Sequence, residues 1–143
     1  MLKNGAEILI DSLIEEGIDT IFGYPGASII PILDEMYNKK DVITHYLTAD
    51  EQGATHAADG YARSTGKVGT VLVSSGPGST NTVTAIATAF YDSIPIVVFT
   101  GQVQKDNIGS DSFPECDIVS ITMPITKYAH PVKDVSELQP EAR

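Results

Sequence analysis

Four short segments of this sequence carry residue types that can do chemistry: Gly23-Tyr24-Pro25-Gly26, Asp50-Glu51-Gln52, Ser74 to Asn81, and Gly101 to Glu115. Each follows an apolar run that reads as a strand. In open α/β sheets ligands bind beyond the carboxyl ends of the strands. The convergence of all four at one sheet edge is therefore more informative than any one of them alone.

Glu51 is the sharpest candidate, because it stands where a strand ends and a helix rich in small residues begins. A helix start favours the charged carboxylate and burial favours the neutral acid. A carboxyl group poised between those states can share a proton with a bound base. An ordinary acidic residue in a first helical turn fits the same position. The run Ser75-Gly76-Pro77-Gly78-Ser79-Thr80-Asn81 likewise follows a strand and opens a helix. Backbone N–H groups there can hold an anion or the polar edge of a ring. A tight strand-to-helix turn explains its two glycines equally well.

Other motifs fail on their spacing. Gly76-Pro77-Gly78 begins like G-x-G-x-x-G, but the last place is Asn81 and no suitably spaced acidic strand end follows. Gly60 to Lys67 resembles a P-loop with one residue too many, Val68 in place of Ser or Thr, and helix before strand. There is no G-x-S-x-G elbow. His45, His56 and His130 lack metal-ligand spacing, so no metal site is expected. The single cysteine, Cys116, has no close histidine and reads as a small hydrophobe in a reducing compartment.

The elements that must position these residues alternate between helical and strand patterns. Ala6, Leu9, Ile10, Leu13 and Ile14 form one helical face, with Asn4 and Glu7 as a capping box and Gly17 as a stop. A strand over 19–22 leads to a helix with Ile29, Ile32, Leu33, Met36 and Tyr37 inward and Pro31 in its first turn. A strand over 42–47 precedes a helix over 51–63. Its inner face is Ala54, Ala57, Ala58, Tyr61 and Ala62, small enough for tight packing or an interface. A strand over 68–73, a helix marked by Val83, Ile86, Ala87 and Phe90, and a strand over 95–100 follow. Strands buried on both faces and alternating with helices predict an α/β fold, a parallel sheet with helices on each side. Residues 102–117 read as a long polar loop, 126–132 as an edge strand, and the last ten residues as lacking a closing helix.

The chain is one domain of 143 residues with soluble, globular composition. A net charge of −10 without a basic stripe argues against nucleic acid. The N-terminus runs straight into an amphipathic helix, with no signal or spanning segment, which places the protein in the cytoplasm away from membranes.

In order along the chain, these segments resemble the N-terminal pyrimidine-binding domain of acetolactate (acetohydroxyacid) synthase large subunits, from Asn4 to about Val135. The resemblance rests on Phe22 to Gly26, Glu51 to Ala54, His56 to Arg63, Ser75 to Asn81, Tyr91 to Pro95, Thr100 to Val103, and Ile108 to Asp111. It implies that Glu51 hydrogen-bonds N1′ of the aminopyrimidine of thiamine diphosphate. Gly76, Pro77 and Asn81 then lie near that ring, and Tyr24, Pro25 and Gly26 approach the cofactor's reactive end. Gln102 and Phe113 border the substrate channel. The implied reaction is decarboxylation of pyruvate and its carboligation to a second 2-keto acid, a transferase step in branched-chain amino acid biosynthesis.

The resemblance also implies partners. The diphosphate and its Mg²⁺ belong to a separate domain with a Gly-Asp-Gly start and a downstream Asn, and FAD to a middle domain; none of these motifs occurs in residues 1–143. Such a chain reads as truncated near its C-terminus, inactive alone, self-associating, and completed by the diphosphate domain of another chain. A non-catalytic domain, or part of another thiamine-diphosphate 2-keto acid decarboxylase or oxidase, are the competing readings. The family's usual pattern is changed at Ala27 (Gly), Asp50 (His), Pro114 (Gln) and Met123 (Arg). A second carboxylate at Asp50 would oppose ionisation of Glu51 if both faced inward.

Overall fold

The computed structural model describes residues 3–102 and 116–142. Helix α1 (Gly5–Glu15) begins as the spacing predicts. Asn4 Oδ1 accepts from the Glu7 N–H at 3.0 Å, and Glu7 Oε2 accepts from the Asn4 N–H at 2.6 Å. This reciprocal cap satisfies two donors that a helix start otherwise leaves open. Gly17, at φ 79°, ends the helix in the left-handed conformation.

The order then runs β1 (Thr20–Tyr24), a 3₁₀ turn (Ala27–Ile29), α2 (Ile30–Asn38), β2 (Thr44–Leu47), α3 (Glu51–Thr65), β3 (Gly69–Val73), α4 (Pro77–Thr80), α5 (Val83–Tyr91) and β4 (Ile96–Thr100). After the undescribed stretch come α6 (Ile118–Thr122) and α7 (Val135–Glu141). The strands form one parallel sheet in the order β2-β1-β3-β4. Its two faces are filled separately. Ile21 and Leu72 pack against Leu9, Ile10 and Leu13 of α1 and Ile29 and Met36 of the α2 region. Val71 and Val73 pack against Ala54 and Ala58 of α3, with Phe22 and Val98 beside them. The α/β class and the helices on both faces are as the alternating pattern predicts.

α3 comes unusually close to the sheet. Ala54, Ala58 and Ala62 are buried, and a methyl group on Gly69 would stand 2.2 Å from the Ala58 carbonyl oxygen. The small stripe is thus consumed inside the domain, as tight packing. Arg63 holds the far end of α3, with Nε on Asp59 at 2.9 Å and a terminal nitrogen on Asp92 at 2.6 Å. Ser93, next to Asp92, adopts φ 58° and closes α5 by donating to the Phe90 carbonyl. The Tyr91-Asp92-Ser93 segment therefore shapes a turn and anchors α3.

Several boundaries and faces differ from the sequence expectation. Tyr37 points outward, 69% exposed, and Phe90 is also exposed, because α2 and α5 each bury a narrower stripe than their apolar residues suggest. β4 is half-buried along its whole length rather than enclosed, being the last strand of the sheet. Residues 126–132 form no strand; a 3₁₀ turn over Met123–Ile125 leads into irregular backbone. The C-terminus does close with a helix. Asp134 caps α7 by accepting from the Ser136 N–H, and Leu138 reaches α1 at Gly5. Among the described residues no helix is long and apolar enough to cross a membrane.

Two measurements test this packing. Gly69→Ala is expected to destabilise the domain by about 1–3 kcal/mol, because a backbone carbonyl must move to admit the methyl; an unchanged urea midpoint would contradict the close approach of α3. The second concerns His45 of β2. Its Nε2 is buried without a hydrogen-bond partner among the described residues, and burial pushes the imidazole below its usual value. The unfolded chain therefore binds this proton more readily than the folded one. Stability is whole above the ordinary histidine value of about 6.5 and falls as pH drops below it. Unfolding midpoints should decline from pH 7.5 to 5 and decline less in His45→Gln, above the range where carboxylates titrate. Equal slopes for the two proteins would exclude a role for His45.

Candidate functional site

Because β1 lies between β2 and β3, the segments leaving these three strands meet at one end of the sheet. Thr48 ties the first two together. Its N–H donates to the Gly23 carbonyl at 3.1 Å, and its hydroxyl donates to the Asp50 carbonyl at 2.7 Å while lying 3.2 Å from the Gly23 oxygen. Two residues later Asp50 caps α3, its carboxylate accepting from the Gly53 N–H at 2.5 Å. Asp50 is exposed and spent on the cap. The two neighbouring carboxylates do not both face inward. A cap of this kind is typically worth about 1 kcal/mol, and the placement of an Asp directly before the helix was the signal for it.

Glu51 turns the other way. It is 9% exposed, the first residue of α3, and its Oε2 accepts from Asn81 Nδ2 at 2.9 Å. Among the described residues no hydrogen bond reaches Oε1. That oxygen faces Gly78, where an added methyl would sit 3.1 Å away. A buried carboxylate costs free energy unless its oxygens are satisfied. Asn81 satisfies one; the other is not among the fully buried unpaired atoms of the described residues and is open to solvent or to a bound donor. The Glu51–Asn81 contact joins two segments that sequence reading placed near one ligand without seeing that they touch.

The Ser74–Asn81 segment has two glycines with two different reasons. Gly76 adopts φ 64°, which the turn out of β3 requires. Gly78 leaves room in front of Glu51. The helix expected after the glycines is broken in two, the four-residue α4 and then α5. Between them the Ser79 and Thr82 hydroxyls donate to the carbonyls of Gly76 and Ser79, at 2.7 and 2.6 Å. Pro77 and Asn81 are exposed on the outer side of this turn.

Tyr24 and Pro25 are exposed at the end of β1. Gly26 brings that loop against β3, where a methyl would strike Ser74. Gln102 is exposed just beyond β4, and Phe113 lies outside the described residues. A cavity of about 1180 Å³ lies elsewhere, along β4 and residues 116–133. Gln102 is on its lining and Glu51 is not. Among its described lining residues Asp117 is the one carboxylate, and it caps α6. The arrangement with reactive potential is the Glu51 cluster.

A carboxylate oxygen with no partner among the described residues, beside a glycine that bears no methyl, has room to accept a hydrogen bond from a bound group such as a protonated ring nitrogen. Residues 3–121 match the family described as thiamine pyrophosphate enzyme, N-terminal TPP binding domain. The sequence is 56% identical over 136 residues to an acetolactate synthase of Arthrospira platensis, covering 94% of this chain and 24% of that protein. It is 52% identical over 140 residues to the acetolactate synthase large subunit of Cyanidium caldarium, covering 96% and 24%. With the large subunit of Lactococcus lactis subsp. lactis (strain IL1403) the identity is 50% over 135 residues, covering 94% and 23%. The chain spans about a quarter of the length of these relatives.

Asn81→Ala removes the one described partner of a buried carboxylate. Urea unfolding should show a loss of about 1.5 kcal/mol, the lower end for a hydrogen bond to a charged group because Asn81 itself is exposed. Asn81→Asp, which sets two carboxylates together, should lose more. If both variants match the parent, Asn81 does not hold Glu51.

Proposed function

The chain belongs to the thiamine pyrophosphate enzymes as their N-terminal TPP-binding domain, and on that premise we propose that it supplies the pyrimidine-side wall of an acetolactate synthase-like active site. The observation that supports this reading is the Glu51 carboxylate, buried, held on Oε2 by Asn81, with Oε1 beside Gly78. Glu51 would hold N1′ of the aminopyrimidine and pass a proton to and from it. Asn81 would keep the carboxylate turned toward that task. Gly76, Pro77 and Asn81 would border the ring, and Tyr24, Pro25 and Gly26 the reactive end. Gln102 and Phe113 would border the path of the 2-keto acid.

When bound, thiamine diphosphate supplies the electron sink for decarboxylation of pyruvate and carboligation to a second 2-keto acid. This domain contributes orientation and one acid–base group. The diphosphate, its Mg²⁺ and an FAD fall to other domains, and the complete site forms between subunits of a homo-oligomer in the cytoplasm. The names of the relatives support acetolactate formation over other reactions of the same cofactor.

The test is to combine the chain with the domains that bind the diphosphate and to assay product from pyruvate. Glu51→Gln should lower acetolactate formation by at least ~100-fold, the scale of a lost general acid–base group. Calorimetric affinity for thiamine diphosphate should change far less. An unchanged rate rejects the proton-sharing role. Acetaldehyde or acetyl phosphate without acetolactate would reassign the reaction to a decarboxylase or oxidase. Strong activity of the chain alone would overturn the one-wall account.

A further inference from the structure

We propose that Ser28 is a positioning residue that sets the Glu51–Asn81 pair by clamping the turn after β3 to the turn after β1; its relevance to a cofactor rests on the function proposed above. The Ser28 hydroxyl oxygen accepts from the Ser75 N–H at 3.1 Å and lies 3.0 Å from Ser74 Oγ. A hydroxyl carries one proton and two lone pairs, so the Ser28–Ser74 bond can run in either direction while Ser28 still accepts from Ser75. One hydroxyl thus engages two consecutive residues at the end of β3.

Two glycines clear the space for this clamp. A methyl on Gly101, just past β4, would stand 2.1 Å from Ser28 Oγ, and a methyl on Gly26 would stand 2.3 Å from Ser74 Oγ. Ser28 thus sits where the chain leaving β1 meets the ends of β3 and β4. Ser75, 6% exposed, immediately precedes Gly76, whose positive φ starts the turn that carries Gly78 and Asn81. Without the Ser28 hydroxyl, the buried Ser75 N–H loses its acceptor, and the turn is free to reset. Since Gly78 and Asn81 both lie against the Glu51 carboxylate, the reset reaches the site. A residue that contributed only to stability would leave that pair alone.

Nitrogen-15 NMR of the full chain separates the two cases without any cofactor. In Ser28→Ala, amide exchange at Ser75 should accelerate about tenfold, as for loss of one hydrogen bond of ordinary net strength. The Asn81 side-chain amide resonances, which report its bond to Glu51, should shift. Ser74→Ala, which removes half of the clamp and only one oxygen atom, should shift the same resonances in the same direction and less. It decides the question if Ser28→Ala does not fold. Ser12→Ala, remote on α1, where its hydroxyl donates to the Ile8 carbonyl, should lower the melting temperature and leave Asn81 unmoved. Unchanged Asn81 side-chain resonances in both clamp variants would overturn the proposal. Adding thiamine diphosphate and Mg²⁺ to the parent protein combined with its diphosphate-binding domains tests the other reading. No perturbation at Asn81 would count against the pyrimidine site and leave the clamp result standing.

Discussion

The separation between α3 and the sheet is set by atoms that are missing from the sequence. Gly69 has no methyl to strike the Ala58 carbonyl, and Ala54 and Ala58 present only methyl groups to Val71 and Val73. A helix this close to its sheet cannot slide or roll without a backbone clash, and interiors packed to crystal-like density have no slack to absorb one. Asp50 caps one end of α3 and Arg63 pins the other to Asp92. The first side chain after the cap is Glu51. Its position is therefore fixed by the whole length of the helix and not by the loop in front of it.

The same device recurs at the ends of the strands, with polar atoms in place of carbonyls. Gly26 lies against Ser74, Gly101 against Ser28, and Gly78 against Glu51. In each case one segment omits a side chain so that a hydroxyl or carboxylate from another can enter. Loops built this way are interlocked rather than merely adjacent. That matters for acid–base work, because a proton acceptor misplaced by an ångström loses much of its effect.

Sequence reading reached the elements whose signals are local. The Asn4–Glu7 box, the Gly17 stop, the start of α3 at Glu51 and the buried β3 all depend on residues within a few positions of one another. It also placed Glu51, Gly76 and Asn81 at one sheet edge, since strand order alone brings those ends together. It missed what depends on distant residues. Tyr37 looks inward by period, yet α2 meets α1 along a narrower line. Residues 126–132 have a strand's composition but lie outside the sheet. Ser28 gives no signal of its own, because its partners are 46 and 47 positions away. The outward turn of Asp50 had a signal in its place directly before α3, and sequence reading did not use it.

A site of this form has one side. Tyr24, Pro25, Pro77 and Asn81 are exposed around a single buried carboxylate, so a ring seated here is gripped along an edge and open elsewhere. The charge distribution points the same way. Of the four edge segments, the three described ones, 23–26, 50–52 and 74–81, contain no Lys or Arg, while 101–115 carries Lys105 and lies mostly outside the described residues. Lys3, Lys39, Arg63 and Lys67 are paired with Asp11, Asp59, Asp92 and Asp19 away from the site. A diphosphate needs cations or a bound metal to hold it, and these segments offer it a carboxylate instead. On the proposed function, such a cofactor would meet this domain at its proton-exchanging end and another domain at its anionic end. That separation is then the physical reason for building the site from two domains.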